Sequence, residues 1–301
     1  MSFITRINQL FSKPEPSGCL GISLQQDSLS YCYIDDDKKL TCQNKAVNEN
    51  QYVQTLKKIR NEEELQGACH VVLSSKQNQL VQIDKPQVPA EEIGSALKWQ
   101  IKDLVSIAPE NMVVDYFDGV KMAMGAEKIH AVCADKKELI ELVAELNKHS
   151  VTIKSITIEE FAFVSLCPIQ EEPRLLVCQQ PNEDVLVLII KDGSLYFQRR
   201  LRGLDQIASK SEDELNLGII DSLSLEIQRS TDYFERQLKQ PPIRNIDILV
   251  PMENEAFLAR RLAENTHIPV NLFAMPEGYA DFRQYAAAIG ATMLNHMGEA
   301  K

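Results

Sequence analysis

The sequence predicts a two-lobed α/β protein with a small α/β domain inserted into the first lobe. Three observations carry that prediction. An order of three strands, a helix and a strand occurs twice along the chain, and an extra run of elements, residues 86–160, separates the two copies. The length of 301 residues is enough for two cores of ordinary domain size. Apolar residues at 44% and charged residues at 25% describe an ordinary globular chain.

The first copy opens after residues 1–17. There Phe3, Ile7, Leu10 and Phe11 share one helical face, flanked by Arg6 and Lys13 and stopped by Pro14 and Pro16. Such an amphipathic segment reads either as a contact for a membrane or partner, or as a terminal helix on its own domain. From Gly18 the period changes to two. Cys19–Leu24, Ser28–Ile34 and Leu40–Gln43 read as strands joined by turns at Gln25-Gln26-Asp27 and Asp35-Asp36-Asp37. Asn48, with Gln51 three residues on, opens a helix striped by Tyr52, Leu56 and Ile59, and Cys69–Leu73 is the strand beyond. Residues 18–85 are thus the core of lobe I.

In the inserted domain, Glu91 and Glu92 follow Val88-Pro89 and favour a helix start through the helix dipole. Ile93, Leu97, Ile101, Leu104 and Val105 are its apolar stripe, ended before Pro109. Strands Met112–Phe117 and Lys128–Ala134 come next. A second helix is boxed by Asp135 and Glu138 and lined by Leu139, Leu142, Val143 and Leu146, and strand Val151–Ile158 completes the module.

Lobe II, residues 172–278, repeats the order. Arg174–Gln179, Val185–Ile190 and Leu195–Leu201 are strand-like, with a turn at Lys191-Asp192-Gly193-Ser194. Ser211 and Glu214 form a capping box for a long helix faced by Ile220, Leu223, Ile227, Phe234 and Leu238, which Pro241-Pro242 stops. Strand Ile246–Val250, a helix through Phe257, Leu258, Arg261 and Leu262, and strand Val270–Phe273 follow. Residues 279–301 supply a closing Ala-rich helix that returns to lobe I.

Charge and cysteine usage narrow the function. A net charge of −11 argues against a dedicated nucleic-acid binder. No apolar run approaches the roughly 18 residues a membrane span needs, and the start lacks the apolar core of a secretory signal. Cys19, Cys32, Cys42, Cys69, Cys133, Cys167 and Cys178 form no C-x-x-C pair, so they read as reduced, buried thiols of a cytosolic protein. His70, His130, His149, His267 and His296 are scattered without metal-ligand spacing, so no metal is expected. Glu62-Glu63-Glu64 and Glu171-Glu172 read as solvated faces rather than an acid/base pair. No nucleophile-elbow, zincin, Walker or Rossmann fingerprint is present.

Local wording adds a resemblance. Gly21-Ile-Ser-Leu-Gln-Gln-Asp-Ser28, Val88-Pro-Ala-Glu-Glu-Ile-Gly-Ser-Ala-Leu-Lys-Trp-Gln100 and Asp115-Tyr116 lie in lobe I and its insert. Lys191-Asp192-Gly193 followed by Phe197-Gln-Arg-Arg200, Leu223-x-Leu-Glu-Ile-Gln-Arg229, Asp232-Tyr-Phe234 and Ala287-Ala-Ile-Gly-Ala291 continue it. In that order and spacing they resemble the PilM-like type IV pilus assembly proteins of the actin-like ATPase superfamily, over about residues 18–295. The resemblance implies a duplicated, ribonuclease H-like actin fold. It also implies a cytoplasmic protein peripheral to the inner membrane, which binds the tail of a PilN-like membrane protein and relays contact to the pilus assembly motor. Self-association is compatible with it.

Nucleotide-binding members of that superfamily hold phosphate on two hairpins of form Asp-x-Gly-x-x-Ser/Thr and on a third glycine-rich loop. Glycine lets backbone N–H groups approach the phosphates, and the acid organises Mg²⁺. Here the first hairpin has Ser23 for the acid and Gln25 for the glycine, keeping only the hydroxyl of Ser28. The second has Cys178 for the acid and Gln180 for the glycine, and adds Glu183 and Asp184 where phosphate charge would sit. The third, Val250-Pro251-Met252-Glu253-Asn254, has no glycine. ATP and Mg²⁺ are therefore not expected cofactors, and the chain reads as a non-catalytic adaptor. Two readings stand beside it: an active actin-like ATPase, which glycines and acids in the loops would favour, and a GspL-like type II secretion component, which a membrane span after residue 295 would favour. For partner binding, residues of about 18–25 and 86–150 are implied; Trp99, beside Glu92 and Lys102 and nearly opposite the apolar stripe, reads either as covered by another segment of the fold or as an interface anchor.

Overall fold

In the computed structural model, which describes residues 17–48, 51–62, 65–120 and 127–294, strand alternation and helical stripes assemble into three sheets. Nearly all of the N-terminal segment 1–17 and the last residues of the closing segment lie outside the described residues.

Lobe I contains β1 (Cys19–Leu24), β2 (Ser28–Ile34), β3 (Leu40–Ala46), α1 (Tyr52–Glu62) and β4 (Gln66–Leu73). After the insert come α3 (Lys136–Leu146) and β8 (Ser150–Ile158), giving the sheet order β3-β2-β1-β4-β8. Lobe II contains β9 (Arg174–Cys178), β10 (Val185–Lys191), β11 (Ser194–Leu201), α5 (Ile220–Asp232), β12 (Asn245–Leu249), α6 (Glu255–Asn265) and β13 (Val270–Leu272). Its order, β11-β10-β9-β12-β13, repeats the first sheet position for position. In each lobe the first three strands form an antiparallel meander, and the next two join parallel to the first strand's free side. A parallel partner needs a crossover, which is why helices separate those strands. The central strands, such as β10 with Val185–Ile190 buried, are near-continuous apolar runs because helices cover both faces.

The insert differs in extent from the sequence expectation. Its sheet, β5-β7-β6, takes β5 (Asn78–Asp84), β6 (Met112–Asp118) and β7 (Lys128–Asp135), under α2 (Ala90–Gln100). Ile93, Leu97 and Ile101 of that side pack on Met112, Ile129, Ala131 and Cys133. The 86–160 boundary is thus corrected at both ends. β5 alternates poorly, with Leu80 and Val81 adjacent, so its strand character is carried by its pairing with β7. β8 pairs in parallel with β4, and Leu142 and Leu146 of α3 enter the lobe I core beside Leu56. Helix α2 also ends sooner than its stripe implies. The Leu104 N–H bonds the Ile101 carbonyl in a turn, which leaves Leu104 58% exposed.

Two further corrections concern cysteine and the long helix. Cys32 and Cys42 are disulfide-bonded rather than reduced, because the β2–β3 register sets them directly opposite each other. The other five cysteines are free, and burial pushes the Cys69 and Cys167 thiols up to about 12. The Ser211–Glu214 capping box forms as expected, but the helix breaks at Leu217–Gly218, where Gly218 adopts a φ of 107°.

The lobes share one apolar core. Cys32 and Val72 from lobe I, Leu176, Cys178 and Leu186 from lobe II, and Phe163 of α4 (Glu159–Leu166) meet α7 (Ala286–Thr292) in it. Helix α7 returns to lobe I and lies against β1 so closely that a Cβ on Gly21 would fall 1.9 Å from the Ala288 carbonyl oxygen. A Cβ on Gly290 would fall 1.9 Å from the Ala162 carbonyl oxygen of α4, and Ser165 Oγ donates to the Gly290 carbonyl at 2.6 Å.

Two glycine substitutions should therefore act in opposite directions. Gly290→Val should destabilise the chain by about 1–3 kcal/mol through overpacking of α4 on α7. Gly94→Ala, in α2 with nothing within 4 Å of a new Cβ, should stabilise it by about 0.5–1 kcal/mol. Thermal unfolding of the two variants against the parent checks both.

Candidate interlobe site

The duplicated meander places the β1–β2 hairpin of lobe I opposite the β9–β10 connection of lobe II, at the ends of the central strands. Five of the predicted site residues converge there. Ser23 Oγ donates to Gln180 Oε1, and Gln25 Nε2 reaches the same oxygen at 3.3 Å and Ser30 Oγ at 3.3 Å. Ser28 Oγ donates to Gln25 Oε1 at 2.6 Å. Gln180 Nε2 in turn donates to Glu159 Oε2 at 2.9 Å. Cys178 lies in the shared apolar core, and burial holds its thiol well above the usual range. Ser23, Gln25 and Gln180 are at most 2% exposed, so the seam between the hairpins is closed to water.

Backbone donors in the seam are occupied as well. The Gln26 N–H donates to Glu183 Oε1 at 2.6 Å, and the Gln25 N–H to the Ser28 carbonyl at 2.9 Å. Ser75 Oγ donates to Glu183 Oε2 at 2.9 Å, and Tyr52 Oη to the Gln25 carbonyl at 2.6 Å. At the outer end, Asn182 Nδ2 donates to Asp27 Oδ2 at 3.0 Å, with Asn182 at a φ of 62°. Of these backbone donors, the Gln26 N–H points at the opposite hairpin and the Gln25 N–H closes its own. Gln25 and Gln180 each fill the space with a side chain that supplies both a donor and an acceptor.

Beneath the seam lies a charged cluster that sequence reasoning missed. Glu159 and Glu160 open α4, and Arg200 reaches them from β11 at 2.5 Å and 3.2 Å. Burial, and then the charge of Glu159, pushes Glu183 up to about 7; the hydrogen bonds from Ser75 and Gln26 and the charge of Arg200 oppose this. Glu160 is raised by burial and then by Glu159, and is held back by Arg200. Burial works against the Arg200 charge, yet Glu159 and Glu160 hold its pKa above the ordinary arginine range. The signal for Glu159 and Glu160 was their place at the end of β8, where a helix start favours acids. Nothing in the local pattern showed that three elements would bury them.

The remaining predicted residues stand apart. Pro251 and Glu253 take no part in the seam. Their loop is anchored instead by the Val250 N–H donating to Glu255 Oε1 at 2.7 Å, with Arg283 paired to Glu255 at 2.7 Å. Trp99 is 67% exposed on the outer face of α2, in helical register with exposed Glu92, and Lys102 is exposed in the turn beyond. Among the described residues, no group of three or more His, Cys, Asp or Glu could hold a metal ion, and no helix is long and apolar enough to cross a membrane.

Comparison with solved structures shows the fold. The chain is similar to a chain of a PilM–PilN type IV pilus biogenesis complex, with a TM-score of 0.68 and 12% identity, covering 92% of this chain and 98% of that one. It is also similar to a Bacteroides thetaiotaomicron VPI-5482 protein of actin-like ATPase fold and unknown function. There the TM-score is 0.53 and the identity 12%, covering 90% and 94% of the two chains. A third likeness is to the cytoplasmic domain of EpsL, an inner-membrane component of the Vibrio cholerae type II secretion system. That TM-score is 0.49 at 13% identity, covering 83% and 94%. No protein-family model matches the chain, and no curated protein matches it. The fold is the two-lobed actin-like one.

Because the Glu183 carboxyl has a higher pKa folded than unfolded, the folded state binds the extra proton between about pH 4.5 and about 7. Its contribution to stability is fully present below that window and is lost as pH rises through it. Glu183→Gln keeps an acceptor for the Gln26 N–H and should flatten this part of the profile. Urea unfolding across pH 4 to 8, on parent and variant, checks the sign.

Proposed function

We propose that this chain is a non-catalytic component of the inner-membrane assembly platform of a type IV pilus, cytoplasmic and held at the membrane through its partner. The observation that carries the non-catalytic part is the seam between the hairpins. Ser23, Gln25, Gln26, Gln180 and Glu183 spend on one another the hydrogen bonds that a polyphosphate would need. Entry of ATP would have to break that network, and it would meet Glu159, Glu160 and Glu183 with Arg200 as the cation at their centre. Loss of both hairpin acids also leaves Mg²⁺ without its usual anchor.

The assembly role is supported by the ordered motifs of the PilM-like resemblance and by structural likeness to the PilM–PilN complex along nearly the whole chain. Within type IV systems the wording resembles MshI, of mannose-sensitive haemagglutinin pilus biogenesis. The partner in this reading is the cytoplasmic tail of a PilN-like protein, which would dock on the insert. Trp99 is the anchor, because a large exposed aromatic side chain flanked by Glu92 and Lys102 offers apolar area with charges of both signs at its edge. Contact with the assembly motor would be relayed through the same rigid body.

Two measurements test this. Calorimetry with ATP and Mg²⁺ should show no binding, and micromolar affinity or turnover would end the non-catalytic reading. A synthetic tail peptide of a PilN-like protein should bind the parent chain and lose about tenfold or more in affinity with Trp99→Ala, an aromatic anchor being worth upwards of about 2 kcal/mol.

A further inference from the structure

The Cys32–Cys42 disulfide belongs to neither the seam nor the Trp99 face, yet it lies beside the first. It joins β2 to β3, the terminal strand of the lobe I sheet, which is laddered to β2 alone among the described residues. On that ladder Cys32 stands opposite Cys42, and Ser30 stands opposite Asn44, two residues away along each strand and on the same face. This face carries Cys32, Leu40 and Cys42 into the core shared by the lobes. Cys32 has no accessible surface and Cys42 is half-buried, so an incoming thiol reaches the bond from the Cys42 side.

A chain of hydrogen bonds runs from this ladder into the seam. Asn44 Nδ2 donates to Ser30 Oγ at 3.2 Å and lies 3.5 Å from Ser28 Oγ. Gln25 Nε2 reaches the same Ser30 Oγ at 3.3 Å, and Ser28 Oγ donates to Gln25 Oε1 at 2.6 Å. Gln25 Nε2 also meets Gln180 Oε1 across the lobes at 3.3 Å. The end of β3 is tied to the same hairpin, since the Val47 N–H donates to the Asp27 carbonyl at 2.8 Å. β3 thus supports one side of the seam. A terminal strand with a single ladder is the part of a sheet most readily displaced, and a cross-link to its neighbour removes that freedom.

We propose that Cys32–Cys42 is a site of reversible thiol–disulfide exchange with a dithiol reductant, and that its state sets how tightly β3, and through Asn44 the seam, is held. A disulfide in a cytoplasmic protein is ordinarily transient or redox-sensing, so the inference rests on the cytoplasmic placement proposed above for its supply of reductant. In the reducing direction a thiolate of the dithiol attacks Cys42 Sγ. The Sγ–Sγ bond breaks, and Cys32 leaves as a thiolate that takes a proton from solvent. The second thiolate of the reductant then displaces Cys42, which is protonated in turn. The chain has gained two electrons and two protons, and the reductant has become its own disulfide. Oxidised glutathione, a small disulfide, reverses the exchange and leaves as two thiols. Because Cys32 is walled in by the core, room for two non-bonded sulfurs comes from β3, and its shift withdraws Asn44 from Ser30 and Ser28.

The test uses the full chain, oxidised and then reduced by excess dithiothreitol without denaturant. Alkylation after quenching should count five thiols before reduction and seven after, and oxidised glutathione should restore five. On reduction, amide exchange read by mass spectrometry should quicken about tenfold or more in β3 and at Gln26 of the seam, while β9 and β12 stay protected. Cys42→Ser should hold the seam at the reduced level under both conditions. Asn44→Ala should keep the sulfur chemistry and the β3 response but lose the response at Gln26. The proposal is overturned by a bond that survives dithiothreitol in the folded chain, or by a dithiol that oxidised glutathione does not close. Equal seam exchange in the two forms, an Asn44→Ala chain that responds as the parent does, or reduction that unfolds the whole chain overturns it as well. Binding of the PilN-like tail to both forms reports separately: its absence ends the assembly reading and leaves the redox result standing.

Discussion

The geometry of the two lobes depends on one polar seam, in which hairpins from opposite halves of the chain satisfy each other away from water. Gln180 is at its centre, taking hydrogen bonds from Ser23 and Gln25 and giving one to Glu159. A buried polar group costs little only when its partners are in place, so this network specifies a single arrangement of the lobes more sharply than apolar contact would. The apolar core beside it supplies area, and the seam supplies register. Helix α4 takes part in both: Glu159 enters the seam, and Phe163 enters the shared core.

The seam also shows what a glutamine at each of two facing hairpins does in a duplicated fold. In a phosphate-binding hairpin, glycine leaves room for a ligand and exposes backbone N–H groups to it. Gln25 and Gln180 fill that room from both sides and can donate and accept at once. Glu183 then takes the Gln26 N–H. The carboxylates gathered beneath are tolerated because Arg200 pairs with two of them and because burial favours the protonated form of Glu183 and Glu160.

Much of this was legible in the sequence. Period-two runs and turn residues located the strands of both meanders, and their order predicted two sheets of matching topology. Ser23, Gln25, Ser28, Cys178 and Gln180, singled out at fixed spacing after the first strand of each meander, do come together between the lobes. What was not legible depended on pairing between distant segments. β8 has the same local alternation whether it joins the insert or lobe I, and only its parallel register with β4 decides. Cys32 and Cys42 lie ten residues apart, a separation that says nothing until the β2–β3 register sets them opposite. Glu159, Glu160 and Arg200 drew no reading as a cluster, since burial by segments distant in the chain leaves no trace in a window of sequence. Leu104 misled in the other direction: it continued a helical stripe that the backbone had already abandoned at Ile101.

Trp99 is the chain's single indole, and it stands in solvent on the insert, far in sequence from either hairpin. Intrinsic emission is therefore a local gauge of that one face. Opening of the two lobes would leave its wavelength almost untouched, whereas anything laid over α2 would shift it to the blue. The tyrosines divide the spectroscopic labour differently, since Tyr31 and Tyr52 are packed in the lobe I core and report on its loosening through their near-ultraviolet dichroism. The two optical channels thus separate occupancy of a surface from integrity of the framework, without any added label.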